Sequence, residues 1–304
     1  MKKRVVLYVV AVSALALCLT AALRAAGKPE PKQSKVEITG EVKHRFIGGS
    51  YHGKIFIVAR DGHVVWEYPA RNCQDVFMLK NGTILFNTRD AAMMVNRDKK
   101  ILWEYKPKGR CEVHSAAPLP NGNVLITVSG QSRIIEVDKY GMIAKEIKFA
   151  DISRSAGNAH MELRDSVKTT RGTYLVAFFN EGLVREFDAD GKVLRTITPA
   201  QAKPDTASSI VPLPGGSTLI GTGYGRSVIE IGKDDKVVWS LMEKDLDGVT
   251  MGYVATAVRL PNGNTLISCY KGTYAFFEVT KDKKVVWSIR GGPFHGTTAI
   301  QLLD

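Results

Sequence analysis

No helical periodicity separates the apolar segments of this 304-residue chain. That excludes a βαβ architecture with a parallel sheet. Metal-ligand spacings are missing too: no Cys-x-x-Cys and no His-x-x-x-His occurs, so nothing points to zinc, and no metal is expected. FDADGK (187–192) echoes a calcium loop but lacks the remaining acidic ligands and the closing Glu. There is no dense Lys/Arg block, which argues against nucleic acid as a partner. Cysteine is scarce, with Cys18 near the start and only Cys73, Cys111 and Cys269 beyond residue 27. An odd number of thiols leaves at least one free or paired with another molecule.

The first residues stand apart. Lys2, Lys3 and Arg4 precede an apolar run from Val5 to about Leu23, followed by Ala25 and Ala26. This reads as a secretory signal cleaved near Ala25 or Ala26. A retained N-terminal membrane anchor is the second reading, because the run is long for a signal. A lipoprotein at Cys18 is the third, with Leu17 where a small residue is wanted. Residues 1–27 are therefore set aside as signal or anchor. Residues 28–40, KPEPKQSKVEITG, read as a linker, and the folded domain is expected over 41–304. The protein is expected in the periplasm, on the cell surface or outside the cell, as a monomer. Four of the 42 Lys and Arg and none of the 30 acids fall in residues 1–27, so the remainder keeps a net charge of +8. That charge suits an anionic partner, but a solvated basic surface is the first reading of it.

What the chain does have is repetition. DGHVVWEY (61–68), DKKILWEY (98–105), DDKVVWSL (234–241) and DKKVVWSI (282–289) are close copies; YGMIAKEI (140–147) and DGKVLRTI (190–197) are weaker ones. The column through them is Trp66, Trp103, Lys145, Arg195, Trp239 and Trp287. Between these copies lie LKNGTIL (79–85), LPNGNVL (119–125), TRGTYL (170–175), LPGGSTL (213–219) and LPNGNTL (260–266). Asn-Gly between apolar runs is the strongest short hairpin signal. Units of this length with four short strands each are propeller blades. Six Trp-type copies but five turn copies remain to be reconciled. The last residues, TTAIQLLD (297–304), match TAVRLPN (256–262) up to the turn, and HRFIGGSYHGKIFIVARDGHVVWEY (44–68) looks like strands two to four of a blade. The sequence thus predicts an all-β, six-bladed propeller of four antiparallel strands per blade, its first blade closed by the C-terminal strand, leaving no open ring edge.

The VVWEY and LPNGN signatures resemble those of bacterial secreted β-propellers with PQQ-like or WD-like repeats. Their pairing also resembles the propeller part of bacterial arylsulfotransferases, which use histidine chemistry. PQQ quinoproteins usually have eight blades, so the likeness does not extend to a bound quinone and no cofactor is expected. The fold hosts many functions and does not choose among them.

In a propeller the strand 1–2 and 3–4 turns share one face, and the 2–3 and 4–1 loops share the other. The first face here repeats NGN, DG and DKK. The second is varied and is the expected binding face. Its ligand-binding candidates are Tyr51, His52, Arg89, Gln131, Tyr224, Arg226, Tyr253, Tyr270 and Lys271. The tyrosines suit a glycan, and the cations suit an anionic molecule. His114, His160 and His295 are catalytic candidates at the channel mouth, with Glu112 and Glu162 as partners. The leading expectation is an exported, non-catalytic propeller that binds a ligand or protein partner across this face. A lyase or sulfotransferase-like enzyme using those histidines is one alternative, and an envelope scaffold is another. Glu136, Glu186, Glu230 and Glu278 recur on strand 3 and are read as structural hydrogen-bond positions; the Trp column is read as inter-blade packing. Cys73 and Cys111 lie in consecutive inter-blade loops and are a disulfide candidate, with Cys269 a buried thiol.

Overall fold

The computed structural model describes residues 35–40, 44–199 and 206–303. The readings of residues 1–27 as signal, anchor or lipoprotein lie outside the described residues. Among those that are described, no helix is long and apolar enough to cross a membrane.

Alternating apolar and turn residues build six antiparallel sheets. Blade 1 takes Thr297–Leu302 as its inner strand, followed outward by Phe46–Ser50, Lys54–Val58 and Val64–Pro69. The inner strands of blades 2 to 6 are Val76–Met78, Glu112–Pro118, Leu163–Lys168, Ser209–Pro212 and Tyr253–Arg259. The ring closes as the repeats require: Phe46 stands opposite Leu302 and Gly48 opposite Ile300. The seam is packed with rings. Phe46 meets Phe276 at 5.2 Å and Phe56 meets Phe294 at 5.1 Å between centroids. Each such buried side chain stabilises by about 2 kcal/mol. Gly48 admits them, since a Cβ there would stand 2.7 Å from the Phe56 ring and 3.1 Å from the Phe276 ring.

The repeated columns have repeated jobs. Trp66, Trp103 and Trp239 each donate their indole N–H to a carbonyl in the next blade's outer hairpin, Arg97 O at 2.8 Å, Asp138 O at 3.2 Å and Lys281 O at 2.9 Å. Arg195, in the same column, donates to Gly232 O at 2.6 Å. The column hooks blades together, so a guanidinium serves where an indole is absent. The strand 3 glutamates are likewise acceptors. Lys168 and Tyr174 donate to Glu136, Arg171 and Thr173 to Glu186, Ser217 and Arg259 to Glu230, and His44 and Asn264 to Glu278.

Two expectations need correction. The linker is not structureless to its end: Glu37–Gly40 pairs with Val285–Arg290 and adds a fifth strand outside blade 6. Ile38 packs in the blade 6 seam beside Trp287, which supplies the burial that a polar linker lacks. Cys73 and Cys111 are free thiols, not a bridge. The turn glycines Gly82 and Gly122 explain this, because Cys73 lies nine residues before its glycine and Cys111 eleven before its own. Cys73 is buried against Gly49, where a Cβ would meet its Sγ at 2.5 Å, and Sγ donates to Asp75 O at 3.2 Å. Cys111 sits further out on its loop beside Gly109 O, at 3.7 Å. Cys269 is a buried free thiol as expected.

Candidate functional site

The inner strands surround a channel of about 330 Å³. A smaller hollow of about 100 Å³ opens above it on the varied face, lined by Tyr51, Tyr224, Tyr253, Tyr270, His160 and Arg164 among others. Gln74, Arg164, Tyr253 and Thr298 belong to both and form the neck between them.

Repeat register explains the neck. The residues eight before Gly82, Gly122, Gly172, Gly216 and Gly263 are Gln74, His114, Arg164, Ser208 and Ala255. The next column is Asp75, Ser115, Asp165, Ser209 and Thr256. Each of blades 2 to 6 thus delivers one residue of each column to the top of the channel. In blades 2, 3 and 4 the first column is polar, and its members bond to one another. Arg164 Nη1 lies 2.9 Å from His114 Nδ1 and donates to Gln74 Oε1 at 3.1 Å; Gln74 Nε2 lies 2.7 Å from the same His114 nitrogen.

Two donors on Nδ1 settle the tautomer of His114: Nδ1 accepts, and the proton sits on Nε2. Nε2 faces Ala159 O at 3.1 Å and Glu112 Oε2 at 3.3 Å. Burial first, and then the Arg164 guanidinium, depress the His114 pKa to about 4, so the ring is neutral. Glu112 accepts from His114 and from His160 Nδ1 at 3.0 Å, and Arg89 Nη2 donates to its other oxygen at 2.8 Å. These hydrogen bonds, His114 first and His160 next, hold its carboxyl well below the usual carboxylate range.

Glu112, His114 and His160 bring their donor atoms within 4.8 Å of one another, close enough to suggest a shared metal ion. The proton inventory does not fit one. Ligation by His114 Nε2 needs its lone pair and moves the proton to Nδ1, against Arg164 and Gln74. Glu162 is no ligand either, since Gly130 N donates to it at 2.7 Å and Ser132 donates through both its backbone N–H and its hydroxyl.

Arg164 is the unusual member. It is 6 % exposed, and its guanidinium lies over the Phe179 ring at 4.1 Å. Its other nitrogen, Nη2, donates to His160 O at 2.9 Å. Every acceptor it touches is neutral, its Nε has no partner, and among the described residues no carboxylate pairs with it. A buried, unpaired cation is costly unless something else compensates it.

Around the neck runs an arc of aromatic rings: His295 to His52 at 5.4 Å, His52 to Tyr270 at 5.4 Å, Tyr270 to Tyr253 at 6.1 Å, Tyr253 to Tyr224 at 4.8 Å and Tyr224 to Phe179 at 6.3 Å between centroids. Tyr51 joins it through Tyr270 at 5.4 Å. Lys271 lies over the Tyr270 ring at 5.4 Å.

The sequence candidates therefore divide. The four tyrosines, His52 and Lys271 meet along the arc. The three histidines do not converge: His114 is buried beside His160, their rings 5.8 Å apart, while His295 is with His52. Arg89 is bound to Glu112, Gln131 donates to Lys108 O, and Arg226 pairs with Glu243 at 3.3 Å, so these three line no part of the mouth. Arg164 and Asp165 were missed by sequence reasoning. The signal was present in MELRDSVKTT, where a charged pair stands in the inner-strand columns that hold Ser, Ala and Thr in blades 5 and 6.

These observations define a six-bladed β-propeller whose polar neck sits under an aromatic mouth. The chain is similar to a protein of unknown function from Bacteroides caccae, with 27% identity over 85% of this chain and 98% of that one and a TM-score of 0.74. It shares the fold of a virginiamycin B lyase from Staphylococcus aureus solved with quinupristin (13% identity, 86% of this chain and 88% of that one, TM-score 0.57). It shares it also with the WD40 β-propeller domain of Doa1 (13% identity, 86% and 96%, TM-score 0.54). No protein-family model matches the chain, and no curated protein does.

Proposed function

We propose that the protein is an exported receptor that captures a small molecule by an anionic group, a carboxylate or a sulfate, at the channel mouth. The observation that carries this is Arg164: a cation 6 % exposed, with neutral partners and an orphan Nε, at the neck below four tyrosines. An incoming oxyanion supplies the missing charge, and charge-assisted bonds in a desolvated neck are strong. The tyrosine faces and hydroxyls suit a glycan or another ring-bearing body. Export is supported by Lys2, Lys3, Arg4 and the apolar run after them.

Calorimetric titration with glucuronate and hexanoate tests this reading. At least one should bind, hexylamine should not, and Arg164→Gln should weaken binding by about tenfold or more, since a charged hydrogen bond contributes roughly 1.5–3 kcal/mol. Equal binding by wild type and variant would refute the site. Silence toward all acids would turn attention to the outer wall, where Val65, Leu102 and Val238 are exposed, as the surface of an envelope scaffold.

One observation favours an enzyme as the second reading. Glu112 accepts a hydrogen bond from Nδ1 of half-exposed His160, and among the described residues nothing bonds its Nε2, which is how a general base is oriented. If so, His160→Gln abolishes turnover of a bound aryl sulfate or ester but keeps its affinity.

A further inference from the structure

Three charged side chains line the channel without an ion-pair partner among the described residues: Arg164 at the neck, and Asp75 and Asp165 in the wall. They share one cavity, yet the guanidinium meets neither carboxylate. Each Asp uses one oxygen on the backbone of the next blade. Ala116 N donates to Asp75 Oδ2 at 3.1 Å, and Ile210 N donates to Asp165 Oδ2 at 2.8 Å. The other oxygen of Asp75 has no protein donor among the described residues. The acids stand in one register column, two blades apart, with Ser115 between them. Much of the remaining wall is apolar, including Val76, Phe77, Ile210, Val258 and Ile300.

We infer that the channel below the neck receives a cationic group on the same ligand that Arg164 holds by its anion, so that the molecule taken up is a zwitterion with an apolar body, an amino acid or short peptide. This rests on the anion-binding reading of Arg164. Opposite charges fixed in one cavity but out of reach of each other are both satisfied by a ligand carrying the complementary pair. Such a ligand meets a buried cation and a pair of partly buried carboxyl groups together, which a simple anion cannot do. The cavity, about 330 Å³, has space on the order of ten water molecules, enough for an amino acid or a small peptide but not for a polymer. The apolar wall accepts the body without leaving polar groups unpaired.

The experiment titrates the full chain calorimetrically with the straight-chain ω-amino acids from aminobutanoate to aminooctanoate, and with the matching unsubstituted acids. One amino-acid length should bind at least about tenfold tighter than its matched acid, a gain of about 1.4 kcal/mol. Asp75→Asn and Asp165→Asn should each remove that gain while leaving the matched acid's affinity within about twofold, because asparagine keeps an oxygen for the neighbouring N–H. Melting curves establish that the variants are folded, and either variant alone carries the test. If the amino acids bind no tighter than their matched acids while the acids still depend on Arg164, the zwitterion inference falls and the anion site stands. A gain that survives both Asp variants also overturns it. If neither series binds, the receptor reading fails and takes this one with it.

Discussion

Two sets of buried and partly buried ionisable side chains share this ring and differ in how they are partnered. The strand 3 glutamates Glu136, Glu186, Glu230 and Glu278 recur from blade to blade, and each is met by protein donors. Arg164, Asp75 and Asp165 occur in inner-strand columns where other blades place uncharged Gln, His, Ser, Ala or Thr, and they are left without an opposite charge. Repetition goes with internal satisfaction, because a position reused in several blades must be stable with nothing bound. A departure from the repeat that buries an unpaired charge loses stability for the fold, and such a loss is retained where a ligand compensates it.

The largest test removes the frame itself. Deleting Thr297–Leu302 opens blade 1 and strips the Phe46 seam of Ile300, a loss of several kcal/mol. A truncated chain melting at the wild-type temperature would break the closure. Next comes Glu136→Ala, which leaves Lys168 and the Tyr174 hydroxyl without their acceptor. It should cost about 3 kcal/mol in denaturant unfolding and leave acid binding unchanged. Arg164→Met should show the reverse pattern, stability within about 1 kcal/mol of wild type or higher, and acid binding lost. Equal destabilisation by both would erase the distinction between the two sets.

The acids sharpen it through pH. Burial raises the Asp75 and Asp165 pKa values, with Asp165 near 6 and the nearby Asp165 charge adding to the rise of Asp75. A raised folded-state pKa means that the native state holds the proton more tightly than the unfolded chain. The resulting stability is complete below the usual aspartate value and is lost as pH rises through the folded value. Asp165→Asn should therefore gain on wild type by about 3 kcal/mol between about pH 4 and about pH 7. His114 runs the other way. Its depressed pKa contributes stability above about 6.5 that is lost as pH falls toward 4. A flat difference between Asp165→Asn and wild type would show that the fold does not raise the proton affinity of Asp165. The smallest effect concerns the thiols: reducing agent should leave the melting curve unchanged, and mapping without reduction should find Cys73 and Cys111 separately alkylated.

Blade number, the closing strand and the structural roles of the Trp and Glu columns were legible because each follows from a pattern written several times. Glu37–Gly40 was not, since pairing with an outer edge depends on a partner strand some 250 residues away, as long-range strand pairing does. The mouth was legible in part. Tyr51, Tyr224, Tyr253 and Tyr270 are conspicuous loop aromatics, and a closed ring brings loops of one face together. Arg164 and Asp165 were hidden because they sit inside a strand, where charge reads as surface unless the strand is placed against the axis. The histidines misled for a related reason: His114 and His295 are both on one face, but His114 is buried on the inner strand of blade 3, while His295 precedes the inner strand of blade 1 and meets His52 instead.

The pairing of Phe46 with Leu302 also governs how the molecule is made. The first blade cannot be finished until the last one exists, so about 250 residues wait on a single non-local contact, the kind that slows folding most. Until then Phe46–Ser50 offers a bare strand edge and Phe46 and Phe56 lack their cover, a state open to mispairing with other chains. A chain threaded across a membrane before it folds would pass this stage on the far side, where any helper that shields that edge would have to be waiting.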